Sequence, residues 1–124
     1  MNAFFDLHAH DSSALSALDR ATFVEAYSRP RVLSAALGWF RAFVQDVEDN
    51  REWLPLPLEM PYLALADPGA LAPMTKQAQL ISADPRTTEI GPAGHWILQE
   101  QPGQILDALI PFLTQQDVTE TGST

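Results

Sequence analysis

Two short apolar runs, and the residues that stop them, constrain this chain most. Pro61-Tyr62-Leu63-Ala64-Leu65-Ala66 carries no charged side chain and ends at Asp67-Pro68-Gly69. A run that short, without polar alternation, reads as a strand covered on both faces, because a half-exposed strand would alternate polar and apolar positions. Thr87 to Ile90 reads as a second strand. Between them, Pro73 to Ser82 is predicted to be a helix with Met74, Ala78 and Ile81 inward, followed by a turn at Asp84-Pro85. A last helix is predicted over Gln104 to Gln115, with Ile105, Leu106, Leu109, Phe112 and Leu113 inward. Strand, helix, strand, helix implies parallel pairing through a right-handed crossover, so the expected class is α/β.

Composition narrows the function. The 124 residues suffice for one small core, and 46% hydrophobic content argues against a disordered chain. Without cysteine there is no disulfide framework and no thiolate chemistry. Sixteen acidic against seven basic residues leave a net charge of −9, which repels phosphate backbones, so no nucleic-acid partner is expected. No apolar run approaches the roughly 18 to 20 residues of a membrane span, and Met1 to His10 lacks the basic and apolar regions of a signal peptide. A soluble, cytoplasmic chain without membrane association or cofactor is expected.

The N-terminal half reads as helical. Met1 to Ser16 has little pattern. Asp19 is expected to cap a helix over Arg20 to Tyr27, with Phe23, Val24 and Tyr27 on one side. Ser28 is expected to cap the next helix, with Pro30 in its first turn, where no amide donor is needed. That helix is the clearest in the chain, since Val32, Ala36, Trp39, Phe40, Phe43 and Val47 fall three and four residues apart. Ser34, Arg41, Gln45 and Glu48 take the other side. Pro55, Pro57 and Pro61 punctuate Leu54 to Pro61, an extended connector and the candidate boundary. The expected organisation is a helical segment and connector over 1–58, an α/β segment over 59–116 and a flexible tail over 117–124.

After the second strand comes Gly91-Pro92-Ala93-Gly94-His95-Trp96-Ile97-Leu98-Gln99-Glu100-Gln101-Pro102. His95 stands on a loop bracketed by Gly91 and Gly94, which are expected to adopt backbone angles that other residues resist, with a helix beginning near Pro102. Such an imidazole is either a loop histidine satisfied by backbone groups or a general base. Trp96 is a packing residue or a substrate contact. Trp39, Phe40 and Phe43 are a core stripe or the wall of a substrate pocket. Asp84 and Glu89 read as solvated surface acids.

The Gly-His-Trp segment followed by Glu-x-Pro, here Gly94-His95-Trp96 and Glu100-Gln101-Pro102, resembles the histidine loop of the α/β-hydrolase superfamily. Tyr27-Ser28-Arg29-Pro30 with Trp39-Phe40-Arg41-Ala42 resembles the helical cap of its epoxide-hydrolase and haloacid-dehalogenase-like members, and Met60-Pro61 opens the following strand as it does there. The resemblance runs from about residue 19 to 116. It implies a hydrolase acting on an ester, epoxide or carbon–halogen bond of a small-molecule substrate, with His95 activating water against a covalent ester intermediate. It offers Asp67, beyond the first strand, as the acid of a triad; the other reading of Asp67 is a strand-end turn residue. Two departures stand out. No Gly-x-Ser-x-Gly or Asp-bearing elbow occurs in the chain, so the resemblance covers the C-terminal half of the fold and implies a homo-oligomer or a complementing chain. Phe40 occupies a position where many relatives carry a tyrosine that donates a hydrogen bond to the substrate. The alternative is a non-catalytic truncated or split hydrolase chain that acts by self-association or through a partner.

A separate motif, Asp6-Leu7-His8-Ala9-His10, resembles the first metal site of amidohydrolases. On a strand over Phe4 to Leu7, both imidazoles would share one face, as zinc requires. Those enzymes draw further ligands from later strands of a barrel of about 250 residues, and His95 is the one other histidine here. The pair is therefore read as surface histidines without metal, with a metal-dependent hydrolase using His8 and His10 as the minor alternative.

Overall fold

The computed structural model describes residues 2–120. Its centre is a two-stranded parallel sheet of β1 (Tyr62–Ala66) and β2 (Pro85–Glu89), with Ala64 opposite Thr87 and Ala66 opposite Glu89. Helix α4 (Leu71–Ile81) makes the crossover and packs on both strands. Helix α6 (Pro102–Glu120) also packs on β1. The parallel strand–helix–strand–helix order agrees with the expected α/β class. The strands are displaced slightly: β1 starts at Tyr62, and β2 starts at Pro85 and ends at Glu89. Ile90 still extends the ladder, since its amide donates to Ala66 O at 2.8 Å.

Ala64, Ala66, Ala78, Ile90 and Ile105 are buried where strands and helices meet. Small residues on β1 and α4 let the helix approach the sheet closely, and Ile90, 1% exposed, fills the space left. Helix α4 begins at Leu71, with Pro73 in its first turn, where its missing amide costs no hydrogen bond. Helix α6 begins at Pro102 and is described through Glu120, so it occupies the first part of the segment expected to be a flexible tail; residues 121–124 of that segment lie outside the described residues. Ile105 is buried, but Leu106 and Leu113, expected inward, are each 52% exposed. Leu58 pairs with Ser82 as an isolated parallel bridge, tying the proline-rich connector to the end of α4.

The N-terminal half departs more from expectation. The stretch containing Phe4 to Leu7 is not a strand but helix α1 (Asn2–His8). Its Phe5 is buried, Phe4 and Phe5 face Trp96, and His8, one turn after Phe4, faces His95. Helix α2 (Ala17–Ser28) starts three residues before the expected Arg20. Ser16, not Asp19, is the N-cap, and Asp19 at the third helical position completes a capping box: Asp19 N donates to Ser16 Oγ at 3.1 Å and Ser16 N to Asp19 Oδ2 at 3.0 Å. Ser28 does not cap the next helix. Its hydroxyl donates back to Val24 O at 2.6 Å, and Arg29 takes the cap position without a side-chain bond.

Helix α3 (Pro30–Trp53) has Pro30 at its start and continues through the charged residues Asp46 to Glu52. An i,i+3 ion pair of Glu48 and Arg51, at 2.8 Å, spans that solvated end and adds a few tenths of a kcal/mol at most. Helix α3 packs against α2. Its aromatic stripe is not a core: Trp39 is 65% and Phe40 59% exposed. Among the described residues, no helix is long and apolar enough to cross a membrane.

Candidate active site

The histidine loop leaves the C-terminal end of β2. Its start is fixed by Gln104 of α6, whose side-chain amide makes a reciprocal pair with Gly91: Gly91 N donates to Oε1 at 3.1 Å and Nε2 donates to Gly91 O at 2.9 Å. Gln101 Nε2 donates to Pro92 O at 2.7 Å. Two glutamines, one between α5 and α6 and one in the first turn of α6, thus satisfy loop peptide groups that would be orphaned on partial burial. The one-turn helix α5 (Ile97–Glu100) closes the loop and hands the chain to α6.

The other side of the loop rests on α1. His95 N donates to His8 O at 2.7 Å, and Trp96 Nε1 donates to Phe5 O at 3.3 Å. These two donors reach carbonyls in the last turn of α1: His8 O lies at the helix end, and Phe5 O also accepts the amide of Ala9 at 3.1 Å. Glycine at 94 has a steric reason rather than the expected conformational one. No described glycine has positive φ. A Cβ on Gly94 would collide with His8 O and come within 2.7 Å of His10 N and 2.9 Å of Ala9 C. Similarly, a Cβ on Gly91 would meet Pro68 Cγ at 3.0 Å. Backbone lies on backbone at the first position, and the loops after β1 and β2 touch at the second.

The His95 side chain is exposed. Its ring lies 5.2 Å from that of Trp96, edge to face at 82°, and 6.0 Å from the ring of His8. Trp96 in turn enters an aromatic cluster with Phe4, Phe5 and Phe23, at centroid distances of 6.1, 5.3 and 6.2 Å. Arg20 covers Phe5 with its guanidinium at 5.7 Å and pairs with Asp6 at 2.8 Å, locking α2 onto α1. The imidazole is therefore carried on a rigid indole, and the indole on two helices from the start of the chain.

Asp67 is at the same end of the sheet as His95, in the loop after β1. Its Oδ1 accepts the amides of Gly69 at 2.8 Å and Ala70 at 3.1 Å, which makes the turn into α4. No hydrogen bond joins Asp67 to His95 among the described residues. The acid that does serve the loop is Glu100. Its Oε1 accepts Gly94 N at 3.0 Å, and its Oε2 accepts His10 N and Asp11 N, each at 2.8 Å. Burial works to raise its pKa, but the bonds from the amides of Asp11, Gly94 and His10, with the Trp96 backbone nearby, outweigh that and hold the carboxyl below its ordinary range. Sequence reasoning missed Glu100, Gln101 and Gln104 as site residues. The available signal was polar side chains at the entry of an amphipathic helix, directly after the histidine.

The aromatic residues Trp39, Phe40 and Phe43 lie together on α3, with ring centroids 5.4 to 5.5 Å apart. They are part of α3 and do not join the Trp96 cluster. His8 and His10 stand on and just after α1, so the alternation that would align two imidazoles on a strand is absent. Among the described residues, no group of three or more potential ligands is placed to hold a metal ion.

No family model matches the chain. Epoxide hydrolase A of Mycobacterium tuberculosis is 34% identical over 85 residues, which are 65% of this chain and 26% of that protein. Over that stretch the chain is similar to an epoxide hydrolase. The crystal structure of Cfl2 wild-type from Burkholderia cenocepacia superposes with a TM-score of 0.77 at 25% identity, covering 90% of this chain and 38% of that one. The resemblance to the epoxide-hydrolase branch of the α/β-hydrolases is supported by the Mycobacterium relative, and the superposition on Cfl2 agrees with the fold. The chain spans about a quarter of the length of the curated relative it matches.

Proposed function

We propose that this chain supplies the histidine-bearing part of an α/β-hydrolase that opens an ester, epoxide or carbon–halogen bond of a small molecule. His95 is the general base. It takes a proton from water as the water attacks a covalent ester on a Ser or Asp nucleophile. The observation that carries this reading is the placement of an exposed imidazole just beyond the C-terminal edge of a parallel sheet, on a loop pinned from both sides, where open α/β sheets gather their sites. The similarity to an epoxide hydrolase points the same way.

The nucleophile comes from outside these 124 residues, since they contain no elbow motif. It is brought by a complementing part of the fold, with β1 and the exposed apolar face of α3 as the surfaces that receive it. Trp39, Phe40, Phe43 and Trp96 then face the substrate space. Phe40 lacks a hydroxyl, which weights the reading away from epoxides and towards esters or organohalides. Asp67 could act as the acid partner only by giving up its bonds to Gly69 and Ala70.

Hydrolysis of p-nitrophenyl acetate, styrene oxide and a haloacid tests the proposal, with the chain alone and with an added nucleophile-bearing part of a relative. Little turnover alone, and turnover in the mixture that His95→Ala abolishes, is the expected result. Turnover indifferent to His95→Ala overturns it. The exposure of Trp39 and Phe40 favours a second reading, a non-catalytic chain that self-associates through α3. Under it, light scattering finds a defined oligomer that Trp39→Ser dissolves, and no mixture gains activity; a monodisperse monomer excludes it.

A further inference from the structure

One carboxylate joins three separate parts of the chain around the histidine. Glu100 reaches Gly94, one residue before His95, through one oxygen, and His10 and Asp11, some ninety positions away in sequence, through the other. We propose that Glu100 is a positioning residue for His95: its two oxygens lock the histidine loop onto the end of the N-terminal helix and so set where the imidazole stands. The proposal rests on the reading of His95 as the general base.

The stereochemistry asks for a carboxylate. Three peptide N–H groups converge on one side chain, and both of its terminal atoms must accept. An ionised carboxylate is the side chain with two acceptor oxygens and no donor, whereas an amide of the same shape would turn an NH2 group towards an N–H. Its partners among the described residues are peptide groups rather than a cation, so the bonds report backbone geometry and not a mobile ion pair. The connection to the imidazole is short. Gly94 lies in van der Waals contact with residues 8–10, and the next amide, that of His95, already donates to His8 O. A shift of the α1 end therefore displaces His95 directly. Trp96, held by Phe5 O, sets the ring against which the imidazole packs.

Two variants of the chain separate positioning from bulk stabilisation. Glu100→Gln keeps the shape and loses one acceptor; Glu100→Ala loses both. Amide hydrogen exchange and the imidazole proton shifts of His95 are followed by NMR, since the Trp96 ring makes those shifts sensitive to placement. Exchange at Gly94, His10 and Asp11 should rise about tenfold or more in Glu100→Ala, and in Glu100→Gln at least on the side that loses its oxygen, Gly94 or the His10–Asp11 pair, with the His95 resonances moving towards those of a free histidine. The amides of Ile90, which donates to Ala66 O, and of Ala83, which donates to Leu58 O, should keep their protection. The proposal is overturned if Glu100→Gln behaves as the parent chain, or if exchange rises equally in the sheet. Neither readout uses a substrate. A His95 that proves unnecessary for turnover would leave these exchange results intact, so failure of the hydrolase reading and failure of the positioning role are told apart.

Discussion

The histidine loop and helix α3 carry the same kinds of residue to opposite ends. Around the loop, Phe5, Ile90 and Ile105 are buried at 5% exposure or less, and Gln104, Gln101 and Glu100 answer loop peptide groups. On α3, Trp39, Phe40, Phe43, Val44 and Val47 are all more than 40% exposed, with regular helical spacing and no opposing surface. Periodicity alone would assign both stripes to a core. What separates them is whether a second element meets the stripe: the loop is enclosed by α1, α2 and α6, whereas α3 meets α2 along one side. An apolar face of this size is covered in working proteins, and the proposed complementing part of the fold is what would cover it.

Truncation to alanine in the two regions should give the largest contrast, although the larger side chain is the one removed from α3. Ile90→Ala removes a fully enclosed side chain next to the β1–β2 ladder and is expected to cost about 3–4 kcal/mol in urea unfolding. Phe40→Ala is expected to change that midpoint by less than about 0.5 kcal/mol while weakening self-association in light scattering. Equal losses at the two positions would mean that α3 is enclosed as firmly as the sheet.

Added methyl groups sharpen the contrast further. At Gly94 the new Cβ meets the backbone of residues 8–10, so Gly94→Ala should destabilise by about 2–3 kcal/mol. At Gly38, inside α3, nothing lies within 4 Å, and Gly38→Ala should stabilise by about 0.5–1 kcal/mol through helix propensity. Thermal melts of the two variants should move in opposite directions.

Acid should loosen the loop before α3. Glu100 has its carboxyl pKa lowered in the folded chain relative to an ordinary 4.5. Its contribution is complete above that value and is lost as pH falls through the lower, folded one. Stability to unfolding, followed by tryptophan fluorescence with Trp39 and Trp53 replaced by phenylalanine, should therefore weaken between about pH 5 and pH 3, and Glu100→Gln should flatten part of that dependence. Asp11, also lowered, chiefly by its bonds from Ser13, adds to the same slope. A slope unchanged in Glu100→Gln would remove Glu100 as the group responsible.

Much of this architecture was legible in the residues themselves. The unbroken apolar run to Ala66, the Asp67-Pro68-Gly69 stop and the amphipathic stretch up to Ile81 specify a strand and a crossover helix, because hydrophobic period and turn chemistry are local properties. The spacing of Val32, Trp39, Phe43 and Val47 specified helix α3, and the glycine-bracketed position of His95 specified a histidine at the end of the second strand. Tertiary structure alone decided the rest. Phe4 to Leu7 could be strand or helix in isolation, and in the fold it is a helix whose Phe4 and Phe5 meet Trp96 and whose His8 meets His95. Glycine at 94 is required by a helix end more than eighty residues earlier, and Glu100 finds two of its three amide partners there. Such contacts leave no trace in local pattern, because the same glycine or glutamate would read identically without the surface that meets it.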